Sequence, residues 1–278
     1  MRKLKIVADS SADLLTLEGC DFAYSPMKVI AGEKEFVDDD GLDVKKMVEF
    51  FDQYKGKSKS SCPNAGDWLE AFGDADDIFC VTITSGLSGS YNAACAAKQM
   101  YESENEGKRV FVLDSLSAGP EIRLIVEKLA DYIKEGLDYE EICKRIATYR
   151  EHTGLVFMLK SLKNFANNGR VSPTVAKIVG FLGICIVGKA SEEGTLEPSH
   201  KCRGEARSLE RIVADLGAQG FVGGRIRITH CMNASAACRL KELIKSAFKT
   251  AQIEIHEPRG LCCFYMEKGG VLVGFEKA

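Results

Sequence analysis

Apolar and polar positions alternate in a regular rhythm through the first half of the chain. A short β-branched or aromatic run is followed by a loop bearing Ser or Asp, and then by an apolar pattern at helical spacing. Lys3–Ala8 reads as a first strand that ends at Asp9-Ser10-Ser11. Phe22–Ile30 reads as a second strand, and Val44–Tyr54 as an amphipathic helix. Between them, Asp38-Asp39-Asp40-Gly41 reads as a turn, because it lacks the alternating ligands and distal Glu of a calcium loop. A hydroxyl-rich loop, Lys57–Asn64, leads into a helix over Ala65–Phe72. The strand Ile78–Ile83 then feeds Thr84-Ser85-Gly86-Leu87-Ser88-Gly89-Ser90-Tyr91, after which an Ala-rich helix begins. Arg109–Leu113 is another strand, ending at Asp114-Ser115, and Ile122–Ile133 and Tyr139–Thr148 are helices separated by Gly136. Strands alternating with helices in this way predict a largely parallel sheet with crossover helices.

The second half has a looser pattern. Gly154–Met158 is strand-like and Ser161–Ala166 helical, followed by the turn Asn167-Asn168-Gly169-Arg170-Val171-Ser172-Pro173. A short helix over Thr174–Phe181 leads to a strand at Ile184–Val187, which Gly194–Pro198 continues as a hairpin. Lys201-Cys202-Arg203-Gly204 opens a long helix over Ala206–Leu216. Arg225–His230 and Ile253–His256 are strands flanking a helix at Ala234–Phe248. Two short apolar runs around Cys262-Cys263, and a turn at Glu267-Lys268-Gly269-Gly270, close the chain.

The strand–loop–helix junction at 81–94 carries the most chemistry. Free N–H groups of a first helical turn, with the positive end of the helix dipole, favour an anion. Gly86 and Gly89 allow close approach, and Ser85, Ser88 and Ser90 add hydroxyls. A carboxylate or phosphate suits this junction; the alternative is that the serines only cap the helix. Asp9 and Ser10 carry the same ambiguity between ligand contact and turn.

Composition narrows the function classes. The chain has 278 residues, 45% hydrophobic and 28% charged, with a net charge of −3. This is a soluble globular profile, and without a basic run it argues against nucleic-acid binding. No stretch approaches the roughly 20 apolar residues of a membrane span, so no stable membrane insertion is expected. The N-terminus lacks the apolar segment of a signal peptide, which predicts a cytoplasmic protein. The eleven cysteines include no C-x-x-C pair and fit reduced, buried thiols better than disulfides or a metal site. His152, His200, His230 and His256 are scattered, so neither a catalytic pair nor any catalytic residue is identified.

Several motifs together carry a family resemblance. They are Asp9-Ser10-Ser11, Ser60-Ser61-Cys62-Pro63, Ser85-Gly86-Leu87-Ser88-Gly89-Ser90-Tyr91 and Asp114-Ser115, followed by Leu162…Asn168-Gly169-Arg170-Val171-Ser172 and Lys201-Cys202-Arg203-Gly204. In this order, over nearly the whole chain, they resemble the DegV family of bacterial fatty-acid-binding proteins. The resemblance implies an α/β fold in two domains. An N-terminal domain (1–150) has a mostly parallel sheet and the carboxylate-binding Ser loops. A smaller α/β C-terminal domain (151–278) contributes to an acyl tunnel, with the ligand between the two. It also implies that a long-chain fatty acid is the ligand, with no other cofactor. Some members are the acyl-binding subunit of a fatty acid kinase and present the carboxylate to a separate catalytic subunit.

By the family's pattern, Ser60 (where Thr is usual), Ser88 and Gly89 bind the carboxylate, with the N–H groups of Ser88 and Gly89 completing the cradle. Ser61, Ser85 and Tyr265 are candidate head-group neighbours. Arg170 and Arg203 match positions that face the phosphate site or the kinase partner. Leu162, Val175, Ile178, Val179, Phe181, Leu182 and Ile184 are tunnel candidates that also read as ordinary core. A family segment of the form Gly-x-His-x-Gly-Pro-Gly near the end is replaced here by Arg259–Gly270, which has no His; Tyr265 offers a replacement hydroxyl. The leading expectation is therefore a lipid-binding protein without chemistry of its own. The alternative is an enzyme acting on a small phosphorylated or carboxylated metabolite through the same anion site.

Overall fold

A computed structural model describes residues 2–171 and 183–278. The expected helix at Thr174–Phe181 and the tunnel candidates Val175, Ile178, Val179, Phe181 and Leu182 lie outside the described residues.

The first half builds two sheets. β1 (Leu4–Asp9), β2 (Phe22–Ser25), β6 (Asp77–Thr82) and β7 (Arg109–Asp114) form a parallel sheet in the order β2-β1-β6-β7. β6 is buried along its whole length, which is why it reads as an unbroken apolar run rather than an alternating one. The second sheet is antiparallel, with order β4-β3-β5, from β3 (Lys28–Ala31), β4 (Lys34–Val37) and β5 (Ser58–Ser61). The single strand expected over Phe22–Ile30 is thus two strands. Pro26 lies between them and has no N–H for a ladder. Ser60, expected in a loop, sits on β5 opposite Val29.

Around these sheets lie α1 (Val44–Gln53), α2 (Ala65–Phe72), α3 (Ser90–Glu104), α4 (Pro120–Lys134) and α5 (Tyr139–Glu151). α2 opens with a complete capping box between Asn64 and Asp67. α3 begins at Gly89 with no side-chain cap, so its first-turn N–H groups are left to other partners.

The second half forms a six-stranded sheet in the order β10-β9-β8-β13-β11-β12. Its strands are β8 (Thr153–Leu159), β9 (Ile184–Ala190), β10 (Leu196–Arg203), β11 (Gly224–His230), β12 (Ala251–His256) and β13 (Val271–Glu276). Only the β11–β12 pair is parallel. α6 (Lys163–Asn167), α7 (Glu205–Ala218), α8 (Ala234–Ala247) and α9 (Gly260–Met266) are the described α-helices of this half. Lys201-Cys202-Arg203, expected to open a helix, instead ends edge strand β10, and α7 starts only after Gly204. A bulge between Pro198 and His200 accommodates the proline on that edge.

Two elements position the site. α4 lies between the sheets, against β1 and β6 on one side and β11 and β13 on the other. β8 is buried on both faces: Leu155, Phe157 and Leu159 join one core cluster, and Val156 and Met158 the other. The β9–β10 hairpin tip reaches across to the loop after β6. A Cβ on Gly86 would stand 2.7 Å from the Glu193 carbonyl, and one on Gly194 (φ +72) would stand 2.1 Å from Thr84 Oγ1. Only glycine fits at either position, so Gly86 serves packing rather than ligand approach.

Candidate ligand-binding site

A cavity of about 280 Å³ opens between the Ser loops of the first half and the six-stranded sheet. Its body is hydrocarbon. Leu155, Phe157 and Leu159 of β8 and Leu272 of β13 form one wall; Met27, Ile83 and Leu87 face them from the first half. α9 contributes Leu261, Cys262 and Met266, and the hairpin adds Ala190 and Leu196. Of the expected tunnel residues that are described, Leu162 packs into the core and Ile184 pairs with Arg203 on β9; neither lines the cavity. The wall comes instead from the alternate residues of β8.

One end of the cavity is polar. Ser60, Ser61, Cys62, Ser88, Gly89, Arg170 and Tyr265 all line it. Ser60 Oγ and Tyr265 Oη are 2.6 Å apart, and either can donate to the other. Whichever way that bond points, one of the two hydroxyls keeps a proton for a third partner. Burial raises the Tyr265 phenol above its ordinary value, so it stays a donor at neutral pH; the bond from Ser60 and the Arg170 charge oppose this. Its ring packs against Phe165 at a 36° tilt, with centroids 4.7 Å apart. Ser88 Oγ accepts from the Ser90 N–H at 3.3 Å, and no described residue accepts its own proton.

The backbone cradle differs from expectation in one respect. The Ser88 N–H is engaged by the Thr84 carbonyl at 3.2 Å, while no described residue accepts from the Gly89 N–H. Together with the uncapped start of α3, Gly89 supplies the donors that were expected of both. The Arg170 guanidinium donates to the Leu87 carbonyl at 3.2 Å and to that of Asn168, and brings a fixed positive charge to the same end. The polar end can therefore hold an anion through hydroxyls, a backbone N–H and one cation, with a long apolar chain running away from it.

Two expected residues are not brought in. Ser85 is exposed, and its N–H donates to Asp114 Oδ1 at 3.1 Å; Arg203 is exposed at the end of β10. Neither lines the cavity.

Sequence reasoning also missed residues that hold the site. Asn168 Oδ1 accepts from the Ser60 N–H at 3.3 Å, and its Nδ2 donates to the Asn164 carbonyl at 2.8 Å. Asn164 Nδ2 in turn donates to the Phe264 carbonyl at 2.7 Å, tying α6 to α9. Asp38, expected in a plain turn, is fully buried. It accepts from Gly260 N–H (2.7 Å), Leu261 N–H (2.9 Å) and Ser10 Oγ (2.9 Å), so it caps α9. Nothing local in the sequence signals this, because Gly260 is 222 positions away. Asp9 resolves as scaffold: its carboxylate accepts from Ile83 N–H at 2.8 Å and Ser90 Oγ at 2.7 Å, fixing both ends of the serine loop. Burial raises the pKa of Asp9 and of Asp38, and pushes that of Asp13 up to about 8.

Glu127, Glu254 and His256 place one ligand atom each within 4.8 Å of the others. Arg227 pairs with Glu127 at 2.7 Å and Glu254 at 3.6 Å, and Arg123 pairs with Glu127 at 3.0 Å, so the two carboxylates already face two cations.

Comparison with known proteins finds relatives over nearly the whole chain. The DegV family model covers residues 3–277. A DegV domain-containing protein of Streptococcus pneumoniae is 42% identical over 276 residues, 98% of each chain. The structure of a DegV family protein from Eubacterium eligens loaded with heptadecanoic acid is 42% identical, with a TM-score of 0.97 over 99% of this chain and 100% of that one. The Fatty Acid Kinase (Fak) B3 protein of S. pneumoniae, loaded with linoleic acid, is 41% identical, with a TM-score of 0.97 and the same coverage. With a family model spanning nearly its full length and relatives above 40% identity, this chain belongs to the DegV family.

Proposed function

We propose that this chain binds one long-chain fatty acid and presents its carboxylate to the catalytic subunit of a fatty acid kinase, performing no chemistry itself. The observation that carries this reading is the single cavity wall of hydrocarbon ending at the Ser60–Tyr265 pair, Ser88 and Gly89. Each buried CH₂ contributes about 0.8 kcal/mol, so the chain supplies most of the affinity and the hydroxyls supply orientation. In this reading Ser60, Ser88 and Gly89 hold the carboxylate, Tyr265 takes the place of the family's histidine, and Arg170 balances charge beside the outward-facing oxygen. Residues 1–150 then act as the carboxylate-binding domain and 151–278 as the domain that walls the tunnel. An enzyme for a small polar metabolite would have little use for Leu155, Phe157, Leu159 and Leu272 in one wall, which disfavours the alternative.

The test is lipid mass spectrometry on protein purified from cells and denatured, together with thermal shift on adding oleate or palmitate. Released fatty acid and a raised melting temperature are expected. Protein that carries no lipid and is not stabilised by either acid overturns the reading, as does turnover of a small phosphorylated or carboxylated metabolite by the chain alone.

A further inference from the structure

The polar end is not the cavity's only polar feature. Ser117, on the loop after β7, also lines it, although it is only 2% exposed. Its Oγ donates to Glu121 Oε2 on the first turn of α4, and Thr153 Oγ1 donates to Glu121 Oε1 at 2.7 Å. Glu121 and Thr153 are themselves 5% and 2% exposed, so this is a buried and organised cluster. We propose that Ser117, held by Glu121, is a second polar contact of the tunnel, and that it suits acyl chains carrying a hydroxyl group near mid-chain. This deepens the acyl-binding reading above and rests on it.

The placement follows from β8. Residues 153, 155, 157 and 159 share one face of the strand. Leu159 lies at the carboxylate end, where its Cδ2 and the Met266 Cβ both crowd Gly270, one residue beyond Tyr265 along α9. Thr153, bonded through Glu121 to Ser117, lies past Leu155 at the other end of the row. Leu155 and Leu159 are separated by about 13 Å of strand, the length of roughly ten carbon atoms of extended chain. A fatty acid with its carboxylate at Ser60 therefore passes Ser117 in its middle.

The chemistry selects a donor. The Ser117 proton is directed at Glu121 Oε2, while Thr153 Oγ1 reaches both Glu121 Oε1 and the Arg150 carbonyl at 2.9 Å, so Ser117 Oγ keeps lone pairs to which no described residue donates. A hydroxyl on the chain can donate to that oxygen, whereas a ketone at the same carbon finds no proton on Ser117. Without such a partner, burying a hydroxyl among leucines is unfavourable. An unsubstituted chain passes freely, because Ser117 already has its bond to Glu121.

The experiment compares octadecanoate with its mid-chain hydroxy and oxo derivatives by displacement of a fluorescent fatty acid. Wild-type protein should bind the hydroxy acid within about threefold of octadecanoate or more tightly, and the oxo acid more weakly. Ser117→Ala should weaken the hydroxy acid roughly tenfold and leave octadecanoate within about twofold. Rejection of the hydroxy acid by wild-type protein, or equal effects of Ser117→Ala on both acids, overturns the proposal. If Ser117→Ala does not fold, Ser117→Cys, a weaker acceptor, must show the same selective loss. Failure of octadecanoate itself to bind would instead sink the acyl-binding reading, and the proposal with it.

Discussion

The loops after β1 and β6 read almost alike, each a strand end followed by clustered Ser and Asp or Gly, yet they do opposite work. In the first, each hydroxyl is committed, Ser10 to Asp38 and Ser11 to Asp9, and the Asp9 carboxylate also accepts from Ile83 and Ser90. In the second, no described residue accepts from the Ser88 hydroxyl or the Gly89 N–H at the cavity wall. What separates a scaffold loop from a candidate ligand loop is therefore not the residues but whether their protons already have partners.

That contrast can be broken by mutation. The largest effect is expected on stability at the scaffold. Asp38→Ala strands two buried N–H groups and a hydroxyl, and should cost roughly 3 kcal/mol or more in urea unfolding. An effect below about 1 kcal/mol would remove Asp38 as the anchor of α9.

Next comes pH. Asp13 titrates at about 8 in the folded chain against an ordinary carboxylate value when unfolded, because burial disfavours its charge. The folded state then holds the extra proton, so its stabilising contribution is full below about pH 4 and is lost as pH rises toward 8. The slope approaches 1.4 kcal/mol per pH unit at most. Asp13→Asn should flatten the decline seen in unfolding midpoints between pH 5 and 8, since Asn still accepts from the Arg259 N–H. An identical pH profile in the variant would refute the assignment.

At the ligand loop the effects move to affinity. Ser88→Ala should weaken oleate binding by about 1.5–3 kcal/mol while changing stability by no more than about 1 kcal/mol. Unchanged binding would exclude Ser88 from the site. Tyr265→Phe should be milder, near 1 kcal/mol, because Ser60 can turn its proton to the ligand once its partner is gone. For the same reason Ser60→Ala with Tyr265→Phe should cost more than the sum of the two single changes, which isothermal titration of the four proteins measures. Strict additivity would show that the pair does not share one proton.

The legible parts of the fold were those set by local pattern. The parallel strands announced themselves as apolar runs, and helices such as α4 by their spacing. β5 did not, since Lys-Ser-Lys-Ser has no apolar face and its pairing with β3 decides its shape. α9 was hidden for a related reason. Gly-Leu-Cys-Cys-Phe-Tyr-Met is buried nearly all round, so it lacks a helical polar face, and its start is fixed by Asp38 from another part of the chain. The proposed head-group residues Ser60, Ser88 and Gly89 were visible as family motifs. The apolar wall was not, because alternate residues of a doubly buried strand look identical until one knows what covers each face.

β8 is in this respect a partition shared by two rooms. Val156 and Met158 belong to the packed interior behind it, while Leu155, Phe157 and Leu159 face whatever occupies the tunnel. A guest that presses on one side is felt through the backbone by the other, since close-packed interiors transmit strain rather than absorb it. Loading state and the cohesion of the six-stranded sheet are thereby joined in a single strand.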